Sequence, residues 1–208
     1  MLGFTVTAGM LRPSRRLPGM GQGEVTVRAR KSTDLPVLAE VLEEQQPHTG
    51  YPQRWPLPFP AEQFLTRPGE LGAWVATLGH DPTPVGHVSV TTPGSGPEVD
   101  GWVAGVGRPA EELAAVSVLF VDHRVSGRGV GGALLNAAVS FIRESGRVPV
   151  LDVVQETTKA VRLYQRHGWQ VVGEARPWWL PTDHLPVLLM VLPEGAGVVG
   201  GSQARATT

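Results

Sequence analysis

From Leu113 to Ser145 the chain reads LAAVSVLFVDHRVSGRGVGGALLNAAVSFIRES, and this stretch limits the fold more than any other. Leu113 to Val121 is apolar except for Ser117. A run of that length, rich in Val, Leu and Phe, suits a strand covered on both faces. A polar turn follows, with glycines at 127, 129, 131 and 132. Beyond it, apolar residues fall at Val130, Leu134, Ala137, Ala138, Phe141 and Ile142, the period of a helix with one buried face. Gly146 sits where such a helix ends in the left-handed conformation. The unit is strand, glycine turn, helix.

The chemistry of such a turn is anion binding. The first turn of a helix has backbone N–H groups without partners, and its dipole adds partial positive charge. Glycines let a phosphate approach that backbone, and Arg124 and Arg128 add full charges. Three readings fit: a glycine-rich connection without a ligand, a dinucleotide fingerprint on Gly127, Gly129 and Gly132 with Glu156 downstream, and an acyl-CoA pyrophosphate loop.

The next segment discriminates among them. Val148 to Val154 (VPVLDVV) reads as a second buried strand. Thr157 or Thr158 can cap a short helix that Gly168 stops. Arg124-Val125-Ser126-Gly127-Arg128-Gly129 and the later series Leu151-Asp152-Val153, Thr157, Ala160, Leu163-Tyr164, Gly168-Trp169 resemble, in order and spacing, the two motifs of the GNAT superfamily of acyl-CoA-dependent N-acyltransferases. Thr157 stands where the family pattern has Asn, Asp152 where it has Glu, and Trp169 where it has Phe. The resemblance implies an α/β (α+β) fold, with antiparallel N-terminal strands, a splayed parallel strand pair and flanking helices. A doubly wound dinucleotide fold instead places its fingerprint after the first strand, and here an antiparallel meander precedes the turn.

The rest of the chain accommodates that fold. Its 208 residues suffice for one sizeable core. Residues 1–22, basic but lacking an apolar signal core, read as a flexible leader, residues 23–193 as the transferase domain and 194–208 as a disordered tail. Val25 to Arg30 alternates as a half-buried strand, and Ser32-Thr33-Asp34 opens a helix carrying Leu35, Leu38, Ala39 and Leu42. Gln45 to Pro60 is too proline-rich for regular structure, and Ala61 to Thr66 reads as a short helix. Ala73–Leu78 and Val85–Thr91 read as a hairpin, Pro93–Glu112 as an insertion, and Trp169–Glu174 and Val187–Leu192 as the last strands.

A net charge of −1 gives no reason to expect nucleic acid or a membrane surface as partner. The absence of cysteine excludes disulfides, cysteine nucleophiles and thiolate metal sites, and the six histidines lack metal-ligand spacing, so no metal is expected. No apolar run is long enough to span a bilayer, and a cytoplasmic protein is the expectation.

By resemblance, the cosubstrate is acetyl-CoA. Its pantetheine pairs with backbone near Leu119 and Val121, its pyrophosphate lies on Gly127, Arg128, Gly129, Val130, Gly131 and Gly132 beside Arg124, and Thr157 is adjacent. Tyr164, in the family's Leu-Tyr position, is the expected general acid for the leaving thiolate. Asp152 is the expected base: an aspartate amid Val and Leu is costly to bury alone, and burial raises its pKa. Glu112, His87 and Glu156 are alternative bases, and pairing with an arginine is the structural alternative for Asp152. The aromatic loops offer Tyr51, Trp55, Trp178 and Trp179 as acceptor-site walls. They favour a small or apolar amine or a peptide N-terminus over a polycationic sugar. A non-catalytic acyl-CoA-binding module is the competing function, and a homodimer is left open.

Overall fold

A computed structural model describes residues 23–195. The expected leader lies wholly outside them, and so does the tail beyond Gly195. One seven-stranded sheet carries the fold, in the order β1-β2-β3-β4-β5-β7-β6. The strands are β1 (Val25–Ala29), β2 (Glu70–Leu78), β3 (Asp81–Thr91), β4 (Leu113–Val121), β5 (Val148–Val153), β6 (Gln170–Ala175) and β7 (Val187–Val191). All neighbours are antiparallel except β4 and β5.

Helices cover both faces of this sheet. On one face, α4 (Val130–Glu144) and α5 (Thr158–Arg166) bury Val130, Leu134, Leu135, Ala138, Ile142 and Tyr164 against Ala76, Ala114, Val116, Leu151 and Val153. On the other, α1 (Leu35–Thr49) and α2 (Ala61–Leu65) lay Leu38, Leu42, Phe64 and Leu65 on Val75, Val118 and Phe120. Burial of Val130, Leu134, Leu135 and Ile142 would contribute roughly 1.5–3 kcal/mol each on transfer from water, so packing far outweighs local propensity. α1 runs further than its first apolar stripe suggests. Pro47 falls in the last turn, and Gly50, at φ 71°, ends the helix.

Within the Pro93–Glu112 insertion the chain forms a helix, α3 (Pro97–Val106). Its glycines disguise it, yet they are what allows it to pack. A Cβ on Gly101 would lie 2.2 Å from Leu189 Cδ1, and one on Gly105 would lie 2.6 Å from Val172 Cβ. These two positions, four apart, share the helix face that presses on β6 and β7. Trp102 is buried there, and its indole N–H donates to the Leu151 carbonyl at 3.1 Å.

β4 and β5 pair at only three positions, Leu113↔Val148, Ala114↔Pro149 and Ala115↔Val150. Beyond them β4 stays with β3 as far as Val121↔Gly86, and β5 stays with β7 through Val153↔Leu188. The two strands therefore part and leave a gap. A bulge accompanies the parting. Two residues of β4, Val118 and Leu119, stand against the single residue between His87 and Ser89 on β3. Val118 has φ 49°, a left-handed conformation that is strained for a β-branched residue. The extra residue reverses the alternation: Ala114 and Val116 face α4, whereas Val118 and Phe120 face α1.

Candidate active site

The sequence places one titratable residue on the strand that leaves β4. Alternation along β5 sends Leu151 and Val153 to the α4 face and Val148 and Val150 to the α3 face, so Asp152 lies on the α3 side. There it lines a cavity of about 420 Å³. Arg67, Thr91, Glu98, Trp102 and Ser117 share that cavity. Asp152 makes no ion pair and no hydrogen bond to another side chain among the described residues, so the structural alternative, pairing with an arginine, is not what the structure has. It is half-buried, and its remaining surface belongs to the cavity. Burial, reinforced by the nearby charge of Glu98 and opposed by that of Arg67, pushes its pKa up to about 6.

Tyr164 reaches the same region from the other face. It is buried on α5, edge-on to Trp169 with ring centroids 6.0 Å apart. Its pKa is raised by burial first, then by Tyr51 and Asp152, so the phenol stays protonated. Tyr51 completes the group. The Gln45 side-chain amide donates to the Tyr51 carbonyl at 2.5 Å, and the Tyr51 ring meets Phe64 edge-on. Burial raises the Tyr51 pKa, with Arg67 opposing and Asp152 adding to the shift. Asp152, Tyr164 and Tyr51 thus lie within one another's electrostatic reach, although they come from three separate elements.

The glycine turn stands at the open end of the gap. Gly127 and Gly129 have φ 84° and 81°, which is why the turn requires glycine there. Gly129 caps α4, and the helical ladder begins with the Ala133 N–H donating to the Gly129 carbonyl. The N–H groups of Val130, Gly131 and Gly132 precede that bond and are the orphan donors of the helix start. A Cβ on Gly129 would meet nothing within 4 Å, so the surface above it is open. Gly131 and Gly132 face Leu163 and His167 of the α5 segment. The Asp122 N–H donates to the Val85 carbonyl, so alternation turns the backbone of Leu119 and Val121 towards the gap. Thr157 is the residue before α5, and its side chain makes no capping bond.

Other expected site residues lie differently. Arg124 is not a loose charge. Its guanidinium donates to both Asp122 oxygens, at 2.9 and 2.7 Å, and to Glu44 at 2.8 Å, so it ties the turn to α1. Arg128 is exposed on the turn. Trp55 lines a separate hollow of about 390 Å³ formed with α1 and α2. Trp178 is 86 % exposed, and Trp179 packs beside Leu180 and α3. None of these three tryptophans lines the Asp152 cavity, because aromatic content does not fix where a loop folds back. Arg67, Glu98 and Trp102 do line it and were not singled out from sequence. A charged residue in a proline–glycine stretch gives no signal by itself.

The alternative bases fall away from the cavity. Glu112 pairs with Arg108 on the surface at 3.0 Å, and Glu156 accepts the Leu185 N–H at 3.0 Å. His87 is fully buried. Its Nδ1 lies 2.9 Å from the Val118 carbonyl, which can only accept, so Nδ1 carries the proton. Nε2 then accepts from Arg30 at 3.0 Å, while Arg30 also pairs with Glu70 at 2.7 Å. Burial lowers the His87 pKa to about 4, and the ring is neutral at physiological pH. His87 therefore clasps the strained bulge. Replacing it with Ala is expected to cost about 2–4 kcal/mol, from the lost volume and two stranded polar partners, read by urea unfolding.

Comparison with known proteins agrees with this fold. Residues 37–169, more than half of the chain, match the family described as Acetyltransferase (GNAT) family. An uncharacterised N-acetyltransferase of Methanocaldococcus jannaschii is 31% identical over 37% of this chain and 34% of its own length. Mycothiol acetyltransferase of Propionibacterium freudenreichii is 42% identical over 32% of this chain and 21% of its own length. The matched segments thus span about a third or less of those two curated relatives. Among solved structures, the ribosomal-protein-S18-alanine N-acetyltransferase of Escherichia coli has a TM-score of 0.57 at 16% identity, covering 88% of this chain and all of that one. Arabidopsis thaliana NAA60 in complex with a bisubstrate analogue has a TM-score of 0.60 at 21% identity, covering 81% of this chain and 97% of that one. With the splayed β4/β5 pair, the glycine turn and the matched segment in agreement, the chain belongs to the GNAT family of acyl-CoA-dependent N-acetyltransferases.

Proposed function

We propose that the chain moves an acetyl group from acetyl-CoA to a primary amine by direct attack, with Asp152 as base and Tyr164 as acid. The observation that carries this reading is the convergence of the two on the gap between β4 and β5, one with a raised carboxyl pKa and one with a phenol held protonated. Acetyl-CoA would supply the activated acyl group as a thioester. The backbone of Leu119 and Val121 and the N–H groups from Gly127 to Gly132 would hold it, and the open surface over Gly129 fits a pyrophosphate.

An alkylammonium is not a nucleophile, so the acceptor must first lose a proton. A carboxylate with a pKa of about 6 is largely ionised at neutral pH yet more basic than an ordinary aspartate. The Tyr164 hydroxyl forms no hydrogen bond among the described residues, which leaves it to donate to the departing thiolate. Tyr51 lies within electrostatic reach of Asp152 and would help to seat the acceptor. Cavity size favours a small acceptor, and its charged lining argues against a purely apolar one. The relatives' names range from ribosomal-protein alanine to spermine and spermidine, so family alone does not select the amine.

The test measures CoA release from acetyl-CoA with and without a panel of primary amines. Amine-dependent release is expected; acetyl-CoA binding with no release on any amine would leave the non-catalytic module. Gly129→Glu places a branched anion on the turn, at a left-handed position, and is expected to reduce CoA affinity by about 100-fold or more in calorimetry. A folded Gly129→Glu protein with unchanged affinity would remove the turn from the cofactor site, and tighter binding of NAD than of CoA would restore the dinucleotide reading.

A further inference from the structure

The Asp152 cavity holds one positive and two negative side chains, and they do not neutralise one another. The Arg67 side chain has no ion pair or hydrogen bond among the described residues, although Asp152 and Glu98 line the same space. Its Nε is buried without a partner. Its guanidinium carbon lies 4.3 Å from the centroid of the Phe64 ring, a cation–π contact that uses none of its N–H donors for an acceptor. A guanidinium that lines a cavity without a protein acceptor is costly to dehydrate, and a ligand carboxylate on its cavity-facing N–H groups would relieve that cost.

From this arrangement we infer that the acceptor is a small free amino acid, whose carboxylate is received by Arg67 while its amino group is presented to Asp152. The inference rests on the acetyl-transfer reading above and adds the substrate class. Its charges match the cavity's: the incoming ammonium meets Asp152 and Glu98, and the carboxylate meets Arg67. A polyamine would bring a second cation towards Arg67. A simple alkylamine would leave Arg67 desolvated and unpaired. The volume of about 420 Å³ lies in the lower part of the range for small-molecule sites and suits one amino acid. In the reaction the ammonium gives one proton to Asp152, the freed amine nitrogen forms a bond to the acetyl carbonyl carbon, the carbon–sulfur bond breaks, the thiolate takes its proton from Tyr164, and the nitrogen's second proton returns to the Tyr164 oxygen. The carboxylate takes no part in that exchange and serves for recognition alone.

The experiment uses the full chain with acetyl-CoA. Alanine, methionine and phenylalanine are each assayed beside their carboxamides and the amines lacking the carboxyl group, with kcat/KM expressed per free-base amine. The acids are expected to exceed both analogues by about 10- to 100-fold, the range for a hydrogen bond to a charged group. Arg67→Met is expected to collapse that ratio towards one. Should this variant not fold, the ratio in the parent protein still decides. Equal or faster acetylation of the amides or simple amines, or preference for peptide N-termini, overturns the amino-acid assignment while leaving acetyl transfer intact. No CoA release from any amine overturns both.

Discussion

Tyr164→Phe is expected to lower kcat by about 10²–10⁴ while leaving the fold and acetyl-CoA affinity near the parent's, because only a proton donor is removed. The ring of Tyr164 packs against Trp169 and belongs to the core beneath α4 and α5, and Phe preserves that shape. The hydroxyl has no protein acceptor to lose among the described residues, so its removal strands no partner. Pre-steady-state measurement of CoA release isolates the chemical step. An unchanged chemical rate in the Phe protein contradicts the acid role.

Asp152→Asn is expected to show a pairing of effects that marks a residue kept for chemistry. The carboxyl's folded pKa, about 6, stands above its ordinary value. A raised acid pKa means that the folded state favours the protonated form. The penalty on the parent therefore builds as pH rises from the ordinary carboxylate range to that value, is full above it, and vanishes below the ordinary range. The neutral Asn protein should be more stable than the parent by about 1–3 kcal/mol above roughly pH 7, with the difference fading below about pH 4. At the same time its rate should fall by about 10²-fold or more, since Asn cannot take the acceptor's proton. Urea unfolding across pH reads the first effect and steady-state kinetics the second. A destabilised Asn protein at neutral pH would instead indicate a structural carboxylate.

Most of the architecture was legible where periodicity is strong. The apolar run 113–121 and the helical stripe after Gly129 are long and bounded by turn residues, and the structure places β4 and α4 there. Ends were less legible. β2 and β3 extend to Glu70 and Asp81 because hairpin pairing recruits residues without strand character, and α1 tolerates Pro47 because a proline in the last turn removes only one bond. α3 was hidden because Gly101 and Gly105 look like helix breakers, whereas here they are the price of close approach to Leu189 and Val172.

The site divides along the same line. Asp152, Tyr164 and the glycine turn sit in ordered motifs whose spacing fixes their elements. Tyr51, its carbonyl held by Gln45, lies within electrostatic reach of Asp152, whereas Trp55 and Trp178 lie elsewhere, so aromatic loops were a poor guide to the cavity wall. Arg67 and Glu98 meet Asp152 through tertiary folding of two separate connections. His87 looked like a base from its residue type, and only its burial against the Val118 carbonyl shows it to be a neutral strut of the bulge.

Deprotonation of the acceptor by Asp152, proposed above, is tested by the pH dependence of kcat/KM for the parent and for Asp152→Asn, measured with one acetylated amine. The parent should rise through a limb near pH 6, set by the raised Asp152 pKa, and then through the amine's own ionisation at higher pH. The Asn protein should lose the lower limb and most of the rate, keeping only the limb of the amine. A lower limb that survives in the Asn protein, with a rate near the parent's, would contradict the account.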